Sequence, residues 1–291
     1  MKRRPDNKTI EAVRALVRDA DVEIIPLKGV RDELSKMAPG TLVTVTCSPK
    51  FGLDRTVEYS ELCVKEGFRV IPHVAARQVA DEAELQYFIE RIRGFGVRHL
   101  YVIGGDAAEP VGDFSSAGEL LEAMSQMDHG FETIGVGCYP EGHPNISDEV
   151  LLEALKLKQR YASYMVSQLC FDAGAVVTWL HQMRAAGIDL PLHLGLAAPM
   201  HVTKLADLSL KIGVGSSVRY LTKQHGFLQN MLRMGAYRPE RLLTQFGDAL
   251  TSPELRIEQL HLFSFNQIGP TVAWQGRVVG AETDTDTDAV A

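Results

Sequence analysis

Short apolar runs rich in β-branched residues recur along the chain and alternate with longer segments that have helical spacing. The runs with the length of a strand are Val22–Ile25, Leu42–Thr46, Phe68–Val74, His99–Ile103, Thr133–Cys138, Tyr164–Leu169, Leu192–Leu196 and Leu260–Phe263. Strands that alternate with helices pair in parallel, and such a sheet must be covered on both faces. Eight units of this kind predict an α/β fold, the closed (β/α)8 TIM barrel. The alternative is an open doubly wound sheet, which is disfavoured because no G-x-G-x-x-G motif follows the first run.

The segments between the runs carry the patterns of helices. An apolar stripe at the spacing i, i+3, i+4, i+7 is formed by Leu85, Phe88, Ile89 and Ile92. Gly94 and Gly96 follow this stripe, so we expect the helix to end there. Ser116 followed by Glu119 has the pattern of a capping box, which predicts the start of a helix that runs through Met124.

The chain ends and the stretch before the last run are less regular. Residues ahead of Asp21 predict an extra N-terminal helix, which we expect to close the bottom of the barrel. Several helical pieces, separated by glycine and proline, are predicted within residues 216–258, before the last strand. We see no linker or internal repeat, so residues 1–280 are predicted to form one catalytic domain. The tail 281–291, AETDTDTDAVA, is acidic and lacks aromatic residues, so it is predicted to be disordered.

Charge and cysteine usage exclude several classes of protein. The net charge of −7 argues against a nucleic-acid partner, which requires a basic surface. The four cysteines form no C-x-x-C pair and have no histidine at zinc-site spacing, so we predict free thiols and no metal site. No apolar run reaches the roughly 18 residues of a membrane span, and the N terminus lacks a signal-peptide pattern. We therefore predict a cytoplasmic protein without membrane contact; a homo-oligomer stays open, since barrels often associate through outer helices.

In such a barrel the residues at the carboxyl ends of the strands build the active site. These positions hold Glu23, Thr46, His73, Asp106, Tyr139, Glu141, His143 and Gln168. Glu23 is unusual, because V-E-I-I-P places a carboxylate inside an apolar strand. Burial raises the pKa of a carboxyl group, which can then hold a proton near neutral pH as a general acid must. A structural carboxylate with an interior partner is an equally weighted alternative.

Two further positions are open to more than one interpretation. Asp106 follows Gly104 and Gly105, where the backbone can approach a ligand closely. An aspartate that caps a helix or stabilises a turn is the more common fate of G-G-D. His73, after a proline, is by itself more often a packed, hydrogen-bonded histidine. These residues gain specificity only in combination.

Seven motifs occur in a fixed order along the chain: V-E-I-I-P, L-V-T-V-T, P-H-V, G-V-R-H-L-Y-V-I-G-G-D, Y-P-E-G-H-P, L-K-L-K and S-Q-L-C-F-D. Their order and spacing resemble the methylenetetrahydrofolate reductase family. The resemblance runs from about Val22 to Asp172, with weaker matches at Leu194–Pro199 and Leu262–Gln267. Y-P-E-G-H-P and S-Q-L-C-F-D are its most specific parts.

The resemblance implies the reduction of methylenetetrahydrofolate to methyltetrahydrofolate, with electrons from NADH or NADPH and usually through FAD. Glu23 matches the family's general acid, and Asp106 matches a carboxylate near the flavin pyrimidine and the pterin. Gln168 matches a side chain that hydrogen-bonds the folate, and Phe263 and Gln267 fall in its substrate-binding region. The flavin-contacting positions that match are Thr46, His73, Gly105, Tyr139, His143 and Lys158. The sequence does not show which one-carbon pathway the enzyme serves, methionine biosynthesis or another.

Departures from the family pattern concern the flavin. Gly104 stands where most of the family has arginine, and Phe263, Phe265 and Gln267 replace tyrosine, leucine and arginine. Apolar residues take the place of frequent polar cofactor contacts at Leu151, Ala154 and Leu157. Each lost charged hydrogen bond is worth about 1–3 kcal/mol, so we expect weaker FAD binding. FAD stays favoured; the alternatives are direct reduction by NADH, a related C1–pterin substrate, or a non-catalytic barrel subunit.

Overall fold

The computed structural model describes residues 5–201, 204–205 and 236–280. Its strands are β1 (Asp21–Ile24), β2 (Leu42–Val45), β3 (Arg69–Ala75), β4 (His99–Ile103), β5 (Thr133–Cys138), β6 (Tyr164–Ser167), β7 (Leu192–Ala197), β8 (Met200–His201), β9 (Ala236–Tyr237) and β10 (Ile257–Phe263). Eight of them form a closed barrel in the order β1-β10-β7-β6-β5-β4-β3-β2. All neighbouring pairs in the barrel are parallel. The predicted (β/α)8 barrel is confirmed.

The helices of the described residues surround the barrel. They are α1 (Asn7–Arg18), α2 (Val30–Leu34), α3 (Gly52–Lys65), α4 (Glu82–Gly94), α5 (Ala117–Ser125), α6 (Asp148–Lys158), α7 (Ala173–Ala185), α8 (Pro239–Leu243) and α9 (Ile268–Val279). Short 3-10 helices occupy Ala76–Gln78 and Thr244–Thr251. The last of these, together with α8, confirms that helical pieces precede the final strand. Much of the 216–258 stretch and the tail 281–291 lie outside the described residues.

The outer helices bury the stripes that the spacing predicted. The buried side chains of α4 are Leu85, Phe88, Ile89 and Ile92. Ser116 caps α5, and its hydroxyl accepts a hydrogen bond from the backbone N–H of Glu119 at 3.3 Å. The Glu119 carboxylate reaches the N–H of Ser115, one residue before the cap, at 2.6 Å. The capping box therefore forms with its second hydrogen bond shifted by one residue.

The N-terminal helix α1 lies on the outside of the barrel. It packs against α9 and against Thr244–Thr251. Ile10 shares a groove with Gln267, which follows the carboxyl end of β10. Arg18, at the other end of α1, shares a cavity with Leu42 at the start of β2. The helix thus runs along the barrel wall, and the expectation that it closes the bottom is wrong, because its apolar stripe finds its partners in the outer layer.

A small antiparallel pair lies after the seventh barrel strand. β8 pairs with β9, with Met200 opposite Tyr237. The side chains of Met200 and Tyr237 belong to a buried cluster with Phe171, which follows β6, and Phe265, which follows β10. This pair was not predicted, since a strand of two residues has no periodicity to recognise. None of the described helices is long and apolar enough to cross a membrane.

Candidate active site

The residues predicted for the site lie at the carboxyl end of the barrel. Glu23 is in β1, His73 is in β3 and Phe263 ends β10. The positions that directly follow or lie just beyond β2, β4, β5 and β6 hold Thr46, Gly105, Asp106, Tyr139, His143 and Gln168. Parallel strands bring these positions to one edge of the sheet. The barrel therefore gathers most of the predicted set at a single mouth.

Glu23 lies between two histidines and is nearly buried, with 12% of its side chain exposed. Its Oε2 atom is 3.3 Å from Nε2 of His261 in β10 and 3.9 Å from Nε2 of His73 in β3. The other ring nitrogen of His261, Nδ1, lies 2.5 Å from Oδ1 of Asp21. Asp21 and His261 are each 1% exposed. A carboxylate–imidazole–carboxylate line therefore crosses from the barrel interior to the mouth.

The pKa values of the two histidines beside Glu23 are shifted in opposite directions. Burial opposes a charge on His261, but the Asp21 carboxylate, followed by Glu23, raises the pKa of His261 to about 10. Burial, together with the charge on His261, lowers the pKa of His73 well below its ordinary value. His261 is therefore an imidazolium at neutral pH, whereas His73 is a neutral imidazole. His73 also packs edge-on against Tyr101, with ring centroids 4.5 Å apart.

Asp21 has a second histidine neighbour, two residues before the level of His261 on β7. Nδ1 of His193 lies 3.9 Å from Oδ2 of Asp21. The His193 ring stacks on Tyr164, with centroids 4.0 Å apart and an interplanar angle of 12°. Burial lowers the pKa of His193 to about 4, despite the opposing effect of Asp21. Only one of the two histidines next to Asp21 is thus charged.

The loop after β4 contains two glycines of different kinds. Only glycine fits at Gly105, whereas a side chain could be accommodated at Gly104. Gly105 has a φ of +92°, and a Cβ there would come within 3.0 Å of the Ala75 side chain. Gly104 has ordinary backbone angles, and a Cβ there would have no atom within 4 Å. Burial raises the pKa of Asp106, while His143 in the next loop lowers it. His143 packs edge-on against Tyr139, with centroids 5.0 Å apart.

Glu141 fixes the loop after β5 to the start of α7. Its Oε1 atom accepts hydrogen bonds from the backbone N–H groups of Phe171 and Asp172, at 2.6 and 2.7 Å. Burial raises the pKa of Glu141 to about 7, although these hydrogen bonds oppose the shift. The carboxylate therefore holds the Y-P-E-G-H-P loop against the end of β6. The sequence placed Glu141 in a motif but gave it no role.

Several predicted residues have partners within the protein. Lys158 Nζ donates to the Gly137 carbonyl at 2.6 Å. Gln168 accepts from the N–H of Leu169 at 2.8 Å, and Gln267 accepts from Lys204 at 2.7 Å. By contrast, the buried Thr46 Oγ1 and His73 Nε2 atoms have no hydrogen-bond partner within the described residues.

Of the three apolar residues of α6 that replace polar cofactor contacts, Leu157 has a packing role in the structure. The Leu157 side chain lies against Gly118 of α5, where an added Cβ would come within 2.7 Å of it. Leu157 therefore serves the contact between α5 and α6, and the lost cofactor contact at this position stays a prediction. Leu151 is half-buried and Ala154 is exposed. Across the described part of the chain, no group of three residues could hold a metal ion.

Sequence reasoning missed Asp21 and His261. Asp21 and Glu23 are two residues apart in one strand, so their side chains share a face. His261 stands in an otherwise apolar run, L-H-L-F. Two acids on one strand face and a lone histidine in the neighbouring strand were the available signals. The strand order of the barrel is needed to connect them.

Comparison with known proteins identifies the family. The family model described as methylenetetrahydrofolate reductase matches residues 30–212, more than half of the chain. Methylenetetrahydrofolate reductase 2 of Saccharomyces cerevisiae is 32% identical over 112 residues, 35% of this chain and 19% of that protein. Methylenetetrahydrofolate reductase 1 of Schizosaccharomyces pombe is 28% identical over 116 residues, 37% of this chain and 19% of that protein. The matched segments thus span about a fifth of these relatives.

A solved structure of oxaloacetate acetylhydrolase is similar in fold. It has a TM-score of 0.50 and 11% sequence identity, and the match covers 93% of this chain and 84% of that chain. At this identity the similarity shows the barrel alone. The family-model match establishes more: the chain belongs to the methylenetetrahydrofolate reductase family.

Proposed function

We propose that this protein is a cytoplasmic enzyme that reduces 5,10-methylenetetrahydrofolate to 5-methyltetrahydrofolate with NADH or NADPH. The observation that carries the proposal is the position of Glu23, the residue that matches the family's general acid. It lies at the barrel mouth, nearly buried and within 3.3 Å of a histidine nitrogen. The reaction is also the one that names the two yeast relatives.

The chemistry of the substrate requires an acid at this place. An amine nitrogen is a poor leaving group until it is protonated, so the five-membered ring opens when Glu23 delivers a proton. The resulting iminium accepts hydride. Gln168 hydrogen-bonds the folate in this proposal, and the Phe263 ring lies close to the Gln168 backbone, on either side of Gly195. Gln267, the other predicted substrate contact, lies in the groove that it shares with Ile10 of α1. General acids of this kind are typically worth about 10²–10⁴-fold in rate.

The mouth fits the ring system of FAD better than its phosphates. Thr46 and His73 each offer a buried polar atom that has no partner within the described residues, and Gly105 lets the backbone approach closely. A bound flavin would pass hydride from the nicotinamide to the folate. Asp106, Tyr139 and His143 complete the predicted contacts.

Lys158, the cation among the predicted flavin contacts, and Arg77, which lies beside Gly105, both have partners within the protein. Lys158 donates to the Gly137 carbonyl. Arg77 donates to three backbone carbonyls of the loop after β4, those of Ala107, Ala108 and Ser115. Binding the pyrophosphate through either residue would break hydrogen bonds that now hold the fold. This observation favours a second candidate, in which NADH passes hydride directly to the folate.

An absorbance spectrum of the purified protein separates these two routes. Flavin bands that stay with the protein through gel filtration, and that bleach with NADH, support the FAD route. Steady oxidation of NADH by methylenetetrahydrofolate without flavin supports direct transfer. A protein that binds the folate but oxidises no nicotinamide under either condition would instead be a non-catalytic barrel, and the proposed function would be wrong.

The Glu23→Gln variant tests the assigned acid. It keeps the shape of the side chain and removes the transferable proton, so folate reduction should fall by about 10²–10⁴-fold. Binding of the folate and of NADH should change little, as should reduction of any bound flavin by NADH. Equal loss of binding and turnover, or full activity, would contradict the role of Glu23.

A further inference from the structure

The register of the first and last barrel strands places one histidine between two carboxylates. β1 pairs in parallel with β10, with Asp21 opposite His261 and Glu23 opposite Phe263. Because alternate residues share a strand face, Asp21 and Glu23 point to the same side as His261. The two ring nitrogens of His261 then face the two acids, at 2.5 and 3.3 Å. Strand pairing, and not one chance side-chain rotamer, produces this line.

The surroundings of His261 leave it as the charged member of its histidine cluster. The groups that face it are Asp21 and Glu23 from β1, His73 from β3, Tyr101 from β4 and His193 from β7. Burial lowers the pKa of both neighbouring histidines, so they stay neutral. Two carboxylates raise the pKa of His261 to about 10.

The two protons of this imidazolium have different neighbours. Nδ1 is in ion-pair contact with Oδ1 of Asp21, which is as deeply buried as the histidine itself. The Nε2 proton points to Glu23, whose side chain is the more exposed of the two carboxylates. The mobile proton is therefore the one that faces the mouth.

We propose that His261, held by Asp21, stores the proton that Glu23 delivers to the substrate. This inference rests on the proposed reductase function. His261 Nε2 gives its proton to Glu23 Oε2 as Glu23 protonates the amine nitrogen of the folate. The carbon–nitrogen bond breaks, its electron pair stays on the nitrogen, and the iminium carbon accepts the hydride that NADH or NADPH supplies by either route. Neutral His261 keeps its Nδ1 proton beside Asp21, and solvent returns one proton to Nε2 after product release.

His261 acts through Glu23 and is therefore a positioning residue. Its contribution concerns the pH range in which the acid is available. A carboxyl group that takes its proton from water becomes scarce in its acidic form above its pKa, by about tenfold per pH unit. A proton stored on His261 stays at hand up to about pH 10, where the imidazolium itself is lost.

The pH profile of folate reduction tests the proposal with matched variants. The wild-type rate should be nearly flat between about pH 6 and 9. His261→Gln keeps a polar side chain without a charge, and its rate should fall about tenfold per pH unit above neutrality while approaching the wild-type rate near pH 6. The rate of Asp21→Asn should also fall with rising pH above neutrality, but less steeply. His193→Gln, the same change in the other histidine beside Asp21, should keep the wild-type profile.

A uniform loss of rate in His261→Gln at every pH would show a merely structural role and overturn the proposal. A second measurement does not need activity: nitrogen NMR of the wild-type protein labelled in its histidines. His261 should be doubly protonated at about pH 8 and should lose its charge at lower pH in Asp21→Asn. A neutral His261 at pH 7 overturns the proton store even if the enzyme is active. A wild-type protein with a charged His261 but no reductase activity overturns the proposed function instead.

Discussion

Replacing the buried carboxylate Glu141 with glutamine should stabilise the protein at neutral pH. The carboxyl group accepts two backbone hydrogen bonds through Oε1, while its Oε2 atom is buried without a partner within the described residues. Burial raises the pKa of Glu141 from 4.5 to about 7. A glutamine at this position keeps the accepting oxygen and carries no charge, so it matches the protonated acid in charge at every pH, with its NH2 group in the place of the buried Oε2.

The size and sign of the effect follow from this shift. A raised carboxyl pKa contributes stability that is fully present below the unfolded value and is lost as pH rises through the folded value. The shift from 4.5 to about 7 corresponds to about 3 kcal/mol of unfolding free energy. We therefore expect equal stabilities at about pH 4.5, and a Glu141→Gln variant that is about 2–3 kcal/mol more stable above about pH 7.5.

Urea unfolding of both proteins at several pH values measures this difference, because every other titrating group cancels in the comparison. Glu122→Gln, the same substitution at an exposed position of α5, is the matched control. A Glu141→Gln variant that is less stable at all pH values would mean that the two N–H groups require the charged acceptor. That result would refute the assignment of burial as the dominant effect.

Other changes in the barrel have equally definite outcomes. Burial lowers the pKa of His193 from 6.5 to about 4, so wild type should lose about 3 kcal/mol more than His193→Gln as pH falls through this range, measured by urea unfolding. Gly195→Ala should destabilise the protein by about 3 kcal/mol or more in thermal unfolding, because the added Cβ would come within 2.2 Å of a backbone oxygen. Gly137→Ala is the matched control and should cost less than about 1 kcal/mol, because the nearest atom to its added Cβ is 3.5 Å away. Gly104→Arg should fold normally and tighten FAD in a binding titration, since the position is open; unchanged affinity would mean that the phosphates lie elsewhere.

The sequence predicted the barrel because each strand and helix must bury its own apolar pattern. The stripe of α4 and the run His99–Ile103 are local signals, and both are confirmed. The place of α1 was not predictable in the same way. Its apolar face specifies that a partner exists, but only the assembled outer layer decides that the partner is α9.

The same distinction holds for the active site, where some features could be predicted from the sequence and others could not. Residues at the ends of parallel strands meet at one edge, so the mouth with Glu23, His73 and Gln168 could be predicted. The link between Asp21 and His261 could not, since the two residues are far apart in sequence and join only when β1 closes the barrel against β10. The contacts of Lys158 and Leu157 depend on how α6 sits on the barrel, which the spacing of the motif does not contain.

Single variants are needed to measure how Glu141 and His193 each contribute to the pH dependence of stability, because the two contributions oppose each other in the wild-type protein. Between about pH 4.5 and 6.5, Glu141 holds a proton in the fold that the unfolded chain lacks, so falling pH stabilises the fold. Over the same range the unfolded chain gains a proton at His193 that the fold lacks, which destabilises the fold. The two contributions are each about 3 kcal/mol and have opposite signs, so the wild-type profile contains only their difference. A shallow wild-type pH dependence would therefore be no evidence that either group has an ordinary pKa. The difference between each variant and wild type isolates one proton equilibrium, and the two differences must slope in opposite directions if burial governs both groups.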